Sequence, residues 1–128
     1  MTILFPFAHP DDLDEAALEQ LFEHFAPFDF TLDRIERFDD GLVWLHPNPS
    51  APFADLTSAV AQRFPDYPPY EGAFDEPIPH LTISETPIDV PVQLPITGRA
   101  NEVTLIEESE SDGRWSTRRT FALGQGVA

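Results

Sequence analysis

The segment that most constrains the fold is residues 77–84, Pro-Ile-Pro-His-Leu-Thr-Ile-Ser. Its two prolines cannot donate backbone hydrogen bonds, so they indicate a loop that delivers an extended chain into a strand. Successive side chains of a strand point to opposite faces, which places His80 and Thr82 on one face and the apolar residues after each of them on the other. We therefore expect one face in the core and one face that is available for chemistry.

Hydrophobic periodicity predicts the other elements. Alternation predicts strands, and an apolar stripe at helical spacing predicts a helix. The predicted helices cover residues 14–26 and 53–64, and the predicted strands cover residues 2–7, 28–38, 42–46, 80–84, 98–108 and 114–123. Turns are expected at Asp39-Asp40-Gly41 and at residues 109–113, loops at residues 47–50 and 65–79, and a proline-broken extended segment at residues 86–95.

This order of elements predicts a single α+β domain over residues 1–128. The two glycine turns and the similar segments that begin at Thr2 and Thr82 indicate a duplication. We expect two β-α-β-type halves with antiparallel sheets, helices outside and a groove between the halves.

Composition restricts the class of partner. The chain has seven Arg, no Lys, 23 acidic residues and a formal net charge of −16. Such a chain repels polyanions, which argues against long nucleic acid and leaves a short or cyclic phosphate as a ligand. There is no 18-residue apolar run and no signal-type N-terminus, so we expect no membrane contact and a cytoplasmic location. Without Cys and with four scattered His, no metal site or cofactor is expected.

Four motifs resemble the 2H phosphoesterase superfamily, in particular its 2'-5' RNA ligase family. They are Thr2-Ile-Leu-Phe-Pro-Phe7, Pro69-Tyr-Glu-Gly-Ala-Phe74, His80-Leu-Thr-Ile83, and Gly113-Arg-Trp with Phe121-Ala-Leu-Gly124. Members carry two His-x-Thr/Ser strands that face each other across a groove. His80 and Thr82 match the second motif, whereas Thr2 matches only the Thr of the first, whose His would precede Met1. Either Met1 is an internal residue or the protein has lost half of the catalytic pair.

The resemblance implies metal-independent hydrolysis or transesterification of a 2',3'-cyclic phosphate or a 2'-5' phosphodiester at an RNA or nucleotide end. One imidazole accepts a proton and a second donates one, and the ordinary imidazole pKa of ~6.5 suits both roles. The resemblance makes His80 an acid/base, with the Thr82 and Thr2 hydroxyls binding phosphate oxygens where charge develops.

Each of these residues also has a purely structural interpretation. His80 can be an ordinary strand histidine, and Thr2 and Thr82 are of a type common in strands. His46 is expected to pack beside Leu42 and Trp44, with replacement of the missing base as the alternative. Tyr67 and Tyr70 are expected to pack rather than stack on a base, and Arg118 and Arg119 to lie on opposite strand faces as surface residues. His9 lies too far past Thr2 to share its face.

Two other hypotheses remain at this stage. The protein can be a nucleotide-binding or protein-interaction domain that keeps the fold without the first catalytic His. The resemblance also implies a strand and a helix before the first motif, which this sequence does not contain. A sheet edge left exposed without that strand can pair two chains into a homodimer.

Overall fold

A computed structural model describes residues 1, 3–4, 13–66, 79–86 and 93–124. In these ranges the elements are α1 (Glu15–Glu23), β1 (Phe28–Arg37), β2 (Val43–Asn48), α2 (Ala51–Arg63), β3 (Leu81–Ser84), β4 (Ile96–Ala100), β5 (Glu102–Glu108) and β6 (Trp115–Ala122). The α+β class with antiparallel sheets is confirmed. The expected strand at residues 2–7 falls largely outside the described residues, as do most of residues 65–79 and 86–95.

The chain forms two compact units, each made of two chain segments. Unit 1 comprises Met1–Phe7 and Asp29–Gly98, and unit 2 comprises Ala8–Phe28 and Arg99–Ala128. The four-stranded sheet has the order β3-β2-β1-β4, and the two-stranded sheet pairs β5 with β6. None of the described helices has the length and apolar character that a membrane crossing requires.

The turn between β1 and β2 determines how these two strands of unit 1 pair as a hairpin. The Phe38 N–H donates to the Leu42 carbonyl over 3.0 Å, and the Leu42 N–H donates to the Asp40 carboxylate over 3.0 Å. Gly41 has a φ of 91°, which only glycine adopts without cost. The predicted Asp39-Asp40-Gly41 turn is thus confirmed, and it sets Arg37 opposite Val43.

Helix α2 packs on one face of this hairpin. It starts after Ser50, with Pro52 in its first turn, where the missing N–H costs nothing. The Phe53 ring meets the Phe30 ring edge-on at 5.1 Å. The core of unit 1 includes residues with at most 7% exposure, namely Leu32, Val43, Trp44, Leu45, Pro47, Phe53, Leu56, Thr57 and Val60.

Unit 2 is built by α1 on the β5–β6 hairpin. Asp14 caps α1 by accepting from the Ala17 N–H over 3.2 Å, and the helix ends at the exposed cap residue His24, before Pro27. The Phe22 and Phe121 rings lie 5.6 Å apart, which joins helix and hairpin. The predicted turn at residues 109–113 is confirmed, with Gly113 at a φ of 68°.

Arg118 and Arg119 lie at the surface, as expected, but the expectation that they lie on opposite strand faces is wrong. The β5–β6 register shifts between Leu105 and Ile106, which pair with Arg119 and Thr117, so Arg118 is an extra, bulged residue. Both arginines consequently reach α1. Arg118 lies 3.2 Å from Glu15, and Arg119 lies 2.6 Å from Glu19.

Two predicted boundaries also differ from the structure. Strand β2 continues through Pro47 and Asn48, which were expected in a loop. Strand β3 pairs with β2 only up to Leu45, so the missing N–H of Pro47 disrupts no ladder there. The single strand expected over residues 98–108 is two strands, β4 and β5, because the chain breaks at Asn101 and joins different sheets.

We expect Leu56→Ala to lower the free energy of unfolding by about 2–5 kcal/mol, because it leaves a cavity under α2. Leu56 is only 2% exposed. Ile35→Ala is the matched control in the same unit, since Ile35 is 39% exposed. It should cost about 1 kcal/mol or less. Urea unfolding followed by circular dichroism measures both, and equal losses would contradict the described core.

Candidate functional site

His80 and Thr82 are placed by the pairing of β3 with β2. Trp44 is opposite Thr82, and Leu45 is opposite Leu81. Paired residues share a face, so Thr82 and Trp44 lie on one side of the sheet. Leu45 and Leu81 lie on the other side, which is the side of the aliphatic core. Thr82 is exposed, and His80, directly before β3, is partly buried.

The His80 ring lies in an aromatic environment on the Trp44 side. We call Phe38, Trp44, His46 and His80 the ring cluster. The His80 ring meets Phe38 at 5.2 Å and an interplanar angle of 86°, and it meets Trp44 at 5.9 Å and 72°. Edge-on ring contacts of this kind contribute about 0.5–1.5 kcal/mol each beyond burial. The imidazole is therefore held in place without entering the aliphatic core.

Trp44 is the centre of the ring cluster. Phe38 stacks on it at 4.9 Å with an interplanar angle of 23°, and the His46 ring lies 5.9 Å away on the same side. The expected packing of His46 beside Trp44 is confirmed. Because Trp44 contacts every other member, its indole fixes the spacing of the two histidine rings.

A β-bulge in β1 brings a carboxylate to this face. Leu32 pairs with Pro47 and Arg34 with His46, so Asp33 is an extra residue on β1. Two residues of a bulged strand oppose one residue of its partner. Asp33 accordingly lies beside His46, with 3.9 Å between Asp33 Oδ1 and His46 Nδ1. The other carboxylate oxygen, Oδ2, accepts from Asn48 Nδ2 over 3.2 Å.

Three buried polar atoms on this face have no hydrogen-bond partner in the described part of the chain. They are Asp33 Oδ1, Trp44 Nε1 and His46 Nδ1. Each such atom costs about 1–3 kcal/mol relative to a satisfied one. Native proteins contain few of them, which makes this face a candidate for contact with water or a ligand.

The structure brings together two of the three residues predicted from sequence. His80 and Thr82 share a face, as expected. Thr2 lies outside the described residues, as do His9, Tyr67 and Tyr70. Of the residues next to Thr2, Ile3 is described, and its carbonyl accepts from the Thr57 hydroxyl of α2 over 2.7 Å.

Sequence reasoning missed Asp33, Asn48 and Phe38 as neighbours of the candidate site. The hairpin turn carried a signal for them. Residues at equal distances from the turn at Gly41 pair across the hairpin, so the C-terminal half of β1 pairs with Trp44 and His46. The middle of β1 therefore lies near the rings of these two residues. In the described ranges, no group of three His, Asp or Glu side chains is arranged to hold a metal ion.

Comparisons with known proteins agree with this fold. A family model described as the 2'-5' RNA ligase superfamily matches residues 1–112. A search of curated proteins gave no significant match. Solved structures also resemble the chain, and three of them, at 16–24% identity, establish the fold alone.

The similar structures are somewhat longer than this chain, which covers about three quarters of each. The protein TT0787 of Thermus thermophilus has a TM-score of 0.61 at 16% identity, with 93% of this chain and 74% of that chain covered. A phosphoesterase has a TM-score of 0.59 at 20% identity, covering 93% and 72%. E. coli LigT complexed with 3'-AMP has a TM-score of 0.56 at 24% identity, covering 92% and 72%.

We expect Trp44→Phe to change the free energy of unfolding by no more than about 1 kcal/mol, because removing the unsatisfied indole N–H offsets the smaller ring. Trp44→Ala should cost about 3–5 kcal/mol, since it removes the centre of the ring cluster. Denaturant unfolding compares the two variants. A Trp44→Phe loss as large as that of Trp44→Ala would mean that Nε1 has a partner in solution.

Proposed function

Because the chain belongs to the 2'-5' RNA ligase superfamily, we propose that it is a metal-independent phosphoesterase. Its substrate class is a 2',3'-cyclic phosphate or a 2'-5' phosphodiester at the end of an RNA or a nucleotide. The main support for this proposal is that His80 and Thr82 lie on the same face of the sheet. An imidazole fixed by ring contacts and an exposed hydroxyl lie on one sheet face, outside the aliphatic core.

The chemistry needs proton transfer and a site for developing negative charge. When water opens a 2',3'-cyclic phosphate, its oxygen bonds to phosphorus and one bond from phosphorus to a ribose oxygen breaks. A base removes the proton of the water, and an acid protonates the departing ribose oxygen. His80 fills one of these roles. The Thr82 hydroxyl donates to a non-bridging phosphate oxygen, where charge grows in the transition state, and Thr2 is proposed to do the same.

The net charge supports a small substrate rather than a long one. A formal charge of −16 repels a polyanion along its whole length. A nucleotide with one cyclic phosphate carries only a single negative charge, so the repulsion that it experiences is far smaller. The LigT neighbour is complexed with 3'-AMP, which makes 2',3'-cyclic AMP a suitable first substrate.

We expect His80→Ala to lower the rate of 2',3'-cyclic AMP hydrolysis about 10²- to 10⁴-fold, the usual effect of removing an acid/base group. Thr82→Ala should lower kcat about 10²-fold or more, because it removes one donor to the phosphate, and Thr82→Ser should retain most of the rate. Chromatographic separation of the monophosphate product across pH 5 to 8 measures these rates.

The control for these variants is His24→Ala, which removes an exposed imidazole from the end of α1. It should leave the rate unchanged. Equal rates in the parent protein and in His80→Ala would remove His80 from the mechanism. Nucleotide binding without turnover at any of these pH values would instead favour the binding-domain hypothesis.

We also expect kcat/KM for the anionic substrate to rise as salt is added. The acidic protein repels the substrate, and raising ionic strength from 0.01 to 0.1 M shortens the screening length from ~30 Å to ~10 Å. Stopped-time assays in a series of NaCl concentrations measure this dependence. A fall in kcat/KM with salt would show that local positive charge dominates at the site.

A further inference from the structure

We propose that Arg34 binds a second phosphate group of the substrate, separate from the phosphate that Thr82 contacts. This inference rests on the phosphoesterase function proposed above and narrows its substrate class to short RNA or nucleotide ends that carry a phosphate beyond the reacting one. It makes Arg34 a specificity-determining residue on the four-stranded sheet of unit 1.

The bulge in β1 puts Arg34 on the face that carries the ring cluster. The extra residue at Asp33 shifts the register of β1 by one, so that Arg34 and not Asp33 is paired with His46. Without the bulge, Arg34 would be paired with Leu45 and would lie on the aliphatic side. Paired residues share a face, so Arg34 lies on the Trp44 side of the sheet.

The same register extends this face across three strands. Glu36 of β1 is paired with Trp44 of β2, and Trp44 is paired with Thr82 of β3. Neighbouring strands lie ~4.7–4.9 Å apart, so the backbones of Glu36 and Thr82 are ~10 Å apart, with Trp44 between them. Arg34 Nε lies 3.6 Å from Glu36 Oε1, on the β1 side of the indole. The guanidinium and the Thr82 hydroxyl therefore lie on opposite sides of Trp44, which favours two bound phosphate groups over one.

Arg34 is the arginine that gives this face positive charge. The chain has no Lys, and three of its seven Arg belong to unit 1, all within the described ranges. Arg37 is paired with Val43 on the aliphatic side, and Arg63, at the end of α2, lies over the Phe64 ring. In a protein with a formal charge of −16, an anionic group that approaches the ring-cluster face is attracted at Arg34.

The contact between Arg34 and Glu36 is one that a phosphate displaces. Its length of 3.6 Å exceeds that of a hydrogen bond, ~2.7–3.2 Å. The two side chains are 57% and 39% exposed, and an ion pair in such a position contributes little to stability. A guanidinium binds phosphate through two parallel, shorter and stronger N–H to O bonds. Binding would thus replace a weak partner of Arg34 with a strong one.

The kinetic test compares 2',3'-cyclic AMP with 5'-phosphoadenosine 2',3'-cyclic phosphate, which differ by one phosphate group. The measured quantity is the ratio of kcat/KM for the second substrate to kcat/KM for the first. We expect Arg34→Ala to lower this ratio about 10- to 10²-fold, the effect of losing a hydrogen bond to a charged group. Arg34→Lys should lower it less, because it keeps the charge but not the planar fork.

Two further variants separate phosphate binding from a structural role. Arg37→Ala removes the same charge from the other face of the same strand and should leave the ratio unchanged. Glu36→Gln should raise the ratio, because it releases Arg34 and removes a neighbouring negative charge. If the ion pair were merely structural, Arg34→Ala and Glu36→Gln would act alike. Changes of the ratio in the same direction would overturn the proposal.

A binding measurement tests Arg34 without turnover. Calorimetry compares 3'-AMP with adenosine 3',5'-bisphosphate, which carries the second phosphate. We expect Arg34→Ala to weaken binding of the bisphosphate about 10- to 10²-fold and to leave the Kd of 3'-AMP nearly unchanged. Equal effects on both nucleotides would show that Arg34 does not select the second phosphate.

The outcomes separate the two proposals. If the parent protein hydrolyses cyclic AMP and Arg34→Ala changes neither ratio nor Kd, the phosphoesterase function stands and the role of Arg34 is wrong. If the parent protein lacks turnover but binds the bisphosphate through Arg34, the reaction is wrong and the second phosphate site stands. If turnover is absent and Arg34→Ala leaves binding unchanged, both fail. Circular dichroism of each variant establishes that a lost rate does not reflect a lost fold.

Discussion

The candidate site depends on the pairing of β2 with its two neighbours. Strand β2 lies between β1 and β3, and its alternation sends Val43 and Leu45 to one face and Trp44 and His46 to the other. The first pair is buried against the aliphatic core. The same backbone hydrogen bonds that hold the core therefore fix the positions of the indole and the imidazole. A slip of one residue would exchange the two faces, which would expose Val43 and Leu45 and turn Trp44 and His46 into the core.

The two faces differ in how completely their polar groups are satisfied. On the α2 side, the buried hydroxyl of Thr57 finds the Ile3 carbonyl at 2.7 Å. On the ring-cluster side, three buried atoms remain without partners in the described residues. Packing alone would favour apolar replacements there, because an unsatisfied buried atom costs more than an absent one. The ring-cluster face therefore keeps polar atoms that only water or a ligand can satisfy in the described part of the chain.

Much of the fold could be predicted because it depends on local signals. Alternation located β1 and β2, the Asp-Gly turn located their hairpin, and the spacing of Phe53, Leu56 and Val60 located α2. The face shared by His80 and Thr82 followed from the same alternation. The bulges at Asp33 and Arg118 could not be predicted, because an extra residue in one strand is fixed by what its partner strand and the packing helix require. Asp33 contacts His46 and Arg118 contacts Glu15, and sequence reasoning missed both contacts.

Where His80 and Thr82 lie determines how firmly their positions are held. Thr82 belongs to β3 and is paired with Trp44 of β2. His80 precedes β3, and its ring makes edge-on contacts with Phe38 and Trp44. In β2, Trp44 is flanked by Val43 and Leu45, each at most 3% exposed. The position of the imidazole is therefore tied to the best-buried segment of the four-stranded sheet through the indole of Trp44.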